Sequence, residues 1–188
     1  LLSRWYNVAA WTYPFFRVHC HHLSNRREIY SLTEEKYFNL AHDGIIERYQ
    51  HLPLWYTLAH ESNTTGAPIV RPIWWHFSDE SYRDVDDKVL LGNSLLVVPF
   101  VNENEEDITI QLPQKYRGDN TKTVWYGLRQ LNVVEPDNNG NTVVHFQNEG
   151  QTEVFIRGGS IIPIKPRIRK SSPLMFWDPF RLTIAVDS

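Results

Sequence analysis

The stretch Tyr13-Pro-Phe-Phe-Arg-Val-His-Cys-His21, reached from Arg4-Trp5-Tyr6 and followed by Arg26-Arg27-Glu28, decides how the rest of the chain is read. Strand side chains alternate between two faces. Read as a strand, this segment turns Arg17, His19 and His21 one way and Phe16, Val18 and Cys20 the other. A parallel strand buried in a sheet carries apolar side chains on both faces. Cationic and hydrogen-bonding groups that break this pattern near the strand's end predict a site for a polar ligand, neutral or anionic.

Helix signals follow. Ser31-Leu-Thr-Glu34 has the form of a capping box, in which hydroxyl and carboxylate satisfy the first free amides of a helix. Beyond it, Tyr37, Ala41, Ile45, Tyr49 and Leu52 recur at helical spacing and predict one buried stripe. Pro53 inside that pattern should kink the helix or end its first half. Trp55, Tyr56 and Leu58 continue to a break at Asn63-Thr-Thr-Gly66, which is also a formal N-glycosylation acceptor. Residues 67–75 then read as a strand whose Pro68 and Pro72 limit its pairing. Apolar strand, loop, long helix, apolar strand: this order is a βαβ unit, the building block of parallel sheets covered by helices.

After Gly92 the texture changes to short β runs at 94–101, 107–112, 123–126, 130–134, 142–146, 153–156, 160–164 and 181–186. Turn clusters such as Pro136-Asp-Asn-Asn-Gly140 and Gly158-Gly159 separate them. Strands recurring every 8–12 residues or so predict an antiparallel sandwich. The acidic run 102–107 reads as a solvated loop. The expected organisation is therefore α/β over 1–92 and all-β over 93–188.

With 188 residues, 41% of them apolar, the chain can bury one good core or two modest ones. A net charge of −3 gives no basic footprint for nucleic acid and no cationic surface for lipid. No apolar run approaches the roughly 20 residues of a membrane span. The single cysteine, Cys20, cannot make an internal disulfide. There is no initiator Met, the first residues read as the inside of a helix, and the last run stops in mid-strand, so the chain reads as a piece of something larger.

Candidate chemistry is sparse. His19, His21 and His22 suggest zinc, but no further Cys or His pair has the usual ligand spacing, and non-metal roles are expected. Glu34 and Glu35 read as first-turn residues favoured by the helix dipole, and Asp86 and Asp87 as caps or flanks of a short helix. No carboxylate pair stands out as catalytic, and no GxSxG, P-loop or GxGxxG occurs. No cofactor is expected.

Taken together and in order, these motifs resemble glycoside hydrolase family 31, the α-glucosidases and their relatives. The resemblance is carried by Arg4-Trp5-Tyr6, the run to His21, Arg26-Arg27-Glu28, Arg48-Tyr49 and Leu52-Pro-Leu-Trp-Tyr56. Gly66-Ala-Pro-Ile-Val-Arg-Pro72, Asp86-Asp-Lys-Val-Leu-Leu-Gly92 and Phe155-Ile-Arg-Gly-Gly-Ser-Ile-Ile-Pro163 extend it along nearly the whole chain. His19-x-His21, Arg26-Arg27-Glu28 and Arg167-Ile-Arg-Lys-Ser-Ser172 are most similar to the members that trim α-linked glucose from N-glycans in the endoplasmic reticulum lumen.

That resemblance implies the C-terminal part of a (β/α)8 barrel cut before its seventh strand, then an antiparallel β-sandwich. It implies retaining hydrolysis by two aspartates that precede Leu1, so this piece alone is not expected to be a hydrolase. It implies an oligosaccharide substrate and a lectin-like β-subunit as partner. Within this chain it assigns His19 to substrate binding in the −1 sugar subsite. Arg17, on the same face, orients carboxylates or a loop; a structural ion pair is the other reading. Alternatives are another family 31 α-glucosidase, an α-xylosidase, or a non-catalytic carbohydrate-binding module presenting Trp125, Tyr126 and Trp177.

Overall fold

The computed structural model describes residues 1–22, 24–102, 107–118, 121–145 and 150–187. Helix α1 (Leu2–Thr12) buries Ser3, Tyr6, Asn7, Ala9, Ala10 and Trp11. Helix α2 (Glu35–Gln50) approaches that face closely. Asn7 Nδ2 donates to the Leu40 carbonyl at 2.6 Å, and a Cβ on Gly44 would stand 3.3 Å from Asn7. The buried face of α2 is Leu40, Ala41, Gly44 and Arg48. Only Ala41 belongs to the stripe expected from periodicity; Tyr37 is exposed, and Ile45, Tyr49 and Leu52 are half-buried. The crossing of two close helices needs small side chains, and Gly44 rather than an aliphatic residue meets that need.

The expected capping box does not form. Ser31 ends a short 3₁₀ turn (Ile29–Ser31) and its hydroxyl donates to the carbonyls of Arg26 and Glu28, at 2.8 and 2.6 Å. Helix α2 therefore begins at Glu35 without a side-chain cap. His51 separates it from α3 (Leu52–Thr65), where Pro53 occupies the first turn and its missing N–H removes no hydrogen bond. Gly66 closes α3 in the left-handed region, at φ 78°.

The strands among the described residues are β1 (Val70–Arg71), β2 (Val89–Leu91), β3 (Leu95–Val98), β4 (Asp107–Gln111), β5 (Trp125–Gly127), β6 (Val133–Val134), β7 (Asn141–His145), β8 (Glu153–Arg157), β9 (Ser160–Ile164) and β10 (Arg181–Ala185). One six-stranded sheet runs β1-β2-β3-β8-β5-β6, with β4–β7 and β9–β10 as two-stranded ribbons. All pairings are antiparallel. On one face of the large sheet Leu90, Leu96, Trp125 and Phe155 pack with Ile110 and Val144 of β4–β7. On the other, Leu91, Leu95, Val97, Val154 and Ile156 pack with Ala10, Trp11, Leu54, Trp55 and Leu58 of the helices and with Ile162 and Ala185 of β9–β10.

The β runs expected after Gly92 correspond to β3 through β10, with ends shifted by a few residues. Three further expectations before it are corrected. Residues 13–21 form no strand: Phe16 and Val18 are half-buried and Arg17, His19 and His21 exposed, but Cys20 is exposed too, so the alternation ends at His19 and no ladder forms. The βαβ unit is not formed among the described residues, because β1 pairs antiparallel with β2 and Pro68 and Pro72 cut it short. Val89–Leu91 is strand β2, so Asp86 and Asp87 flank no short helix. Leu23, 103–106 of the acidic run and Phe146 lie outside the described residues, while Asp107 opens β4.

Gly92 carries the turn from β2 to β3 at φ 60°, donates its N–H to the Ile69 carbonyl at 2.8 Å, and leaves room for Leu58; a Cβ there would stand 2.5 Å from Leu58 Cδ2. Gly66 has the same backbone hand with nothing within 4 Å of its Cβ position. Gly66→Ala should therefore cost only the backbone term, about 1 kcal/mol, and Gly92→Ala about 2–4 kcal/mol once the clash is added. Denaturant unfolding of the two variants of the intact protein checks this, and equal losses would show that Leu58 yields freely.

Candidate functional site

The chain leaves α1 with a sharp change of direction at Tyr13, which is extended while its N–H still donates to the Ala9 carbonyl. Arg48 of α2 sits in that corner. Its Nη1 donates to the carbonyls of Ala10 and Tyr13, at 3.0 and 2.8 Å, and its Nη2 donates to that of Pro14. The guanidinium lies over the Trp55 ring, 3.6 Å from the centroid. Burial lowers its pKa to about 10. Among the described residues no carboxylate pairs with it; carbonyl dipoles and an aromatic face stand in for water.

The preceding residue on α2 joins the helices to the sandwich. Glu47 accepts the Trp11 indole N–H at 3.0 Å and a two-pronged contact from Arg129, at 2.7 and 2.8 Å. Arg129, in the β5–β6 turn, also donates to Glu153 at 3.2 Å and to the Thr152 carbonyl at 2.9 Å. Burial opposes the Arg129 charge, but the two carboxylates outweigh it and raise its pKa. Glu153 is raised as well, by burial first, and one of its oxygens has no hydrogen-bond partner.

A second chain of polar groups joins α3 to the sandwich. Arg71 donates to Glu61 at 2.6 Å, to the Pro68 carbonyl at 2.7 Å and to His76 Nε2 at 2.8 Å. With Nε2 accepting, Nδ1 carries the proton and faces the Tyr116 hydroxyl at 3.1 Å. Burial first, then Arg71, Arg157 and Arg117 against Glu61, lower the His76 pKa to about 4.

His19 lies on the wall of an open cavity of about 450 Å³. Leu2, Trp5, Tyr6 and Ala9 of α1 form one side; Phe16, Arg17, His19 and Arg27 form the other. Tyr6 fixes both sides, its hydroxyl donating to the Arg27 carbonyl at 3.1 Å and its ring meeting Phe16 edge-on at 6.3 Å. The structure thus brings Arg17 and His19 together on one exposed wall; Arg17 makes no ion pair among the described residues. The rings of His21 and His22 lie 4.0 Å apart, tilted by 37°, outside that wall. Among the described residues no group of three or more His, Cys, Asp or Glu could hold a metal ion. No described helix is long and apolar enough to cross a membrane. Of the three sandwich rings, Trp125 is 1% exposed with its N–H bound to the Pro113 carbonyl, Tyr126 donates to the Val186 carbonyl, and Trp177 is 90% exposed.

Comparison with known proteins agrees with this architecture. Residues 1–58 match the glycosyl hydrolases family 31 TIM-barrel domain, and residues 66–162 the glycosyl hydrolase family 31 C-terminal domain. The chain is 39% identical over 189 residues to neutral alpha-glucosidase AB of Dictyostelium discoideum, and 38% over 195 residues to a probable glucan 1,3-alpha-glucosidase of Arabidopsis thaliana. Each alignment takes in 100% of this chain and 19% of the relative. The crystal structure of the glucosidase II alpha subunit in a DNJ-bound form superposes with a TM-score of 0.87 at 31% identity, over 99% of this chain and 19% of that one. A family 31 alpha-xylosidase from Xanthomonas citri, at 22% identity and TM-score 0.80, shares the fold. The chain belongs to glycosyl hydrolase family 31 and consists of the C-terminal part of its (β/α)8 barrel followed by the antiparallel β-sandwich.

Sequence reading missed Arg48, Arg129 and His76. Arg48 stands at the helical spacing of Leu40, Ala41 and Gly44, and a cation on an otherwise small, buried face was the available signal. Arg129 and Glu47 are 82 residues apart and nothing local links them. Arg129→Met should lower stability by about 3–5 kcal/mol, because two carboxylates would lose their shared cation in a buried setting; thermal unfolding of the intact protein measures it. His76 binds its proton near pH 6.5 when unfolded but only near pH 4 when folded. Stability should therefore fall as pH drops from 6.5 through 4 and be indifferent to this group above 6.5. In His76→Gln, whose amide can accept from Arg71 and donate to Tyr116, that part of the acid limb should vanish from the unfolding-versus-pH curve.

Proposed function

We propose that this chain supplies one wall of the −1 sugar subsite of a retaining α-glucosidase, with His19 as the substrate-binding residue. The observation that carries the reading is the exposed His19 ring on an aromatic-walled cavity, in a family 31 chain. An imidazole N–H can donate to a sugar hydroxyl, and such bonds tighten as the ring distorts towards an oxocarbenium ion. Arg17, exposed beside it, is placed to orient acidic groups of the same pocket. Retention needs two carboxyls about 5–5.5 Å apart; they are two aspartates on polypeptide preceding Leu1.

The intact protein acts on N-glycans, removing α-linked glucose in the endoplasmic reticulum lumen. Similarity to the glucosidase II alpha subunit, solved in alpha3-Glc2-bound and Glc1Man2-bound forms, supports this substrate class. A heterodimer of ER glucosidase II with the binding domain of its regulatory subunit supports a lectin-like β-subunit as partner. The burial of Trp125 and the tethered Tyr126 hydroxyl weigh against a binding module built on the sandwich. The pairing of β2 with β3 carries the sandwich back across residue 92, which favours a domain boundary nearer Gly66.

In the intact enzyme His19→Ala should lower kcat/KM on a synthetic α-glucoside at least tenfold, about 1.4 kcal/mol. Unchanged kcat/KM would remove His19 from the pocket. Faster release of xylose from an α-xyloside than of glucose from a glucosylated N-glycan would replace the proposed substrate with an α-xyloside.

A further inference from the structure

We propose that Arg48 is a positioning residue for this pocket: it sets the angle at which the His19-bearing segment leaves α1. The inference rests on the reading of His19 given above. Arg48 touches the chain on both sides of the corner, at Ala10 within α1 and at Tyr13 and Pro14 on the extended side. A planar guanidinium with donors in a fixed fork can satisfy these carbonyls at only one mutual angle. The Trp55 ring lies over the guanidinium, 3.6 Å from centroid to Cζ, and restricts its swing. The same helix holds the inner side of the corner through Glu47 and the Trp11 indole.

The corner is also where two cavities meet. Tyr13 lines the His19 cavity, Pro14 and Arg48 line an apolar one on the other side, and Phe15 borders both. Five residue steps, bent at Pro14 and Phe15, lead from Pro14 to His19, at most about 16 Å at the strand rise. A tilt of about 10° at the root would therefore carry the imidazole by up to roughly 3 Å, and a misplacement of about 1 Å can cost a hundredfold in rate. Lysine keeps the charge but offers a point donor on a flexible stem, so it cannot hold three carbonyls at fixed angles.

The test is a double-mutant cycle in the full-length enzyme, with kcat and KM measured on a synthetic α-glucoside. Arg48→Lys should fold, lower kcat/KM about tenfold mainly through kcat, and cost under about twofold when His19 is already Ala. The same loss in both backgrounds would mean that Arg48 acts on the fold at large, and would overturn the proposal, as would a wild-type rate in Arg48→Lys. Should that variant fail to fold, Trp55→Phe, which thins the clamp and keeps the carbonyl bonds, should show the same non-additivity on a smaller loss; additivity there overturns it. A wild-type rate in His19→Ala alone overturns the pocket reading itself, an outcome separable from failure of Arg48.

Discussion

Burial of the two central strands on both faces is the constraint on which the molecule depends. Leu95–Val98 is buried at every position, and its partner β8 is buried from Glu153 to Ile156. Such strands must be covered above and below. The β4–β7 ribbon and the loops around Ile73 and Phe77 cover one face. Helices α1 and α3 and the β9–β10 ribbon cover the other. The barrel helices are thus one half of the sheet's own core, and the two parts of the chain share it.

That shared core explains why charged groups appear where helices and sandwich meet. Apolar contact is non-directional and would tolerate some sliding of the helices over the sheet. The Glu47–Arg129–Glu153 cluster and the Glu61–Arg71–His76–Tyr116 chain each require a particular mutual placement. Replacing such a cluster with hydrophobic residues of equal volume can be neutral or stabilising. Their contribution here is registration. Arg48 extends the same logic one step towards the pocket, from the helix pair to the segment that bears His19.

Parts of this arrangement were legible in the residues. Residues 160–164, 181–186 and the doubly apolar 94–101 read as strands, found as Ser160–Ile164, Arg181–Ala185 and Leu95–Val98, because strand signals are local: β-branched runs bounded by turn residues. Pro53 and Gly66 punctuated the helices as their fixed and permissive backbones require. Exposure alternates at Phe16–His19, but without a strand the two faces are not separated: Phe16 and Val18 line the same cavity as Arg17 and His19. The buried face of α2 was misjudged because periodicity ranks side chains by hydrophobicity, whereas the crossing with α1 selected for smallness at Gly44. Ser31 fitted a capping pattern, yet its hydroxyl found nearer carbonyls at Arg26 and Glu28.

The residues by themselves determined the family and the succession of short β runs, because each is written in short-range pattern and motif order. Tertiary structure alone decided which cations would be buried and what would surround them. Arg48 reaches carbonyls 34 to 38 positions away, and Arg129 a carboxylate 82 positions away. A guanidinium looks the same in sequence whether it ends in water or against an indole, since its role comes from the groups that folding brings within 3 Å or so of it.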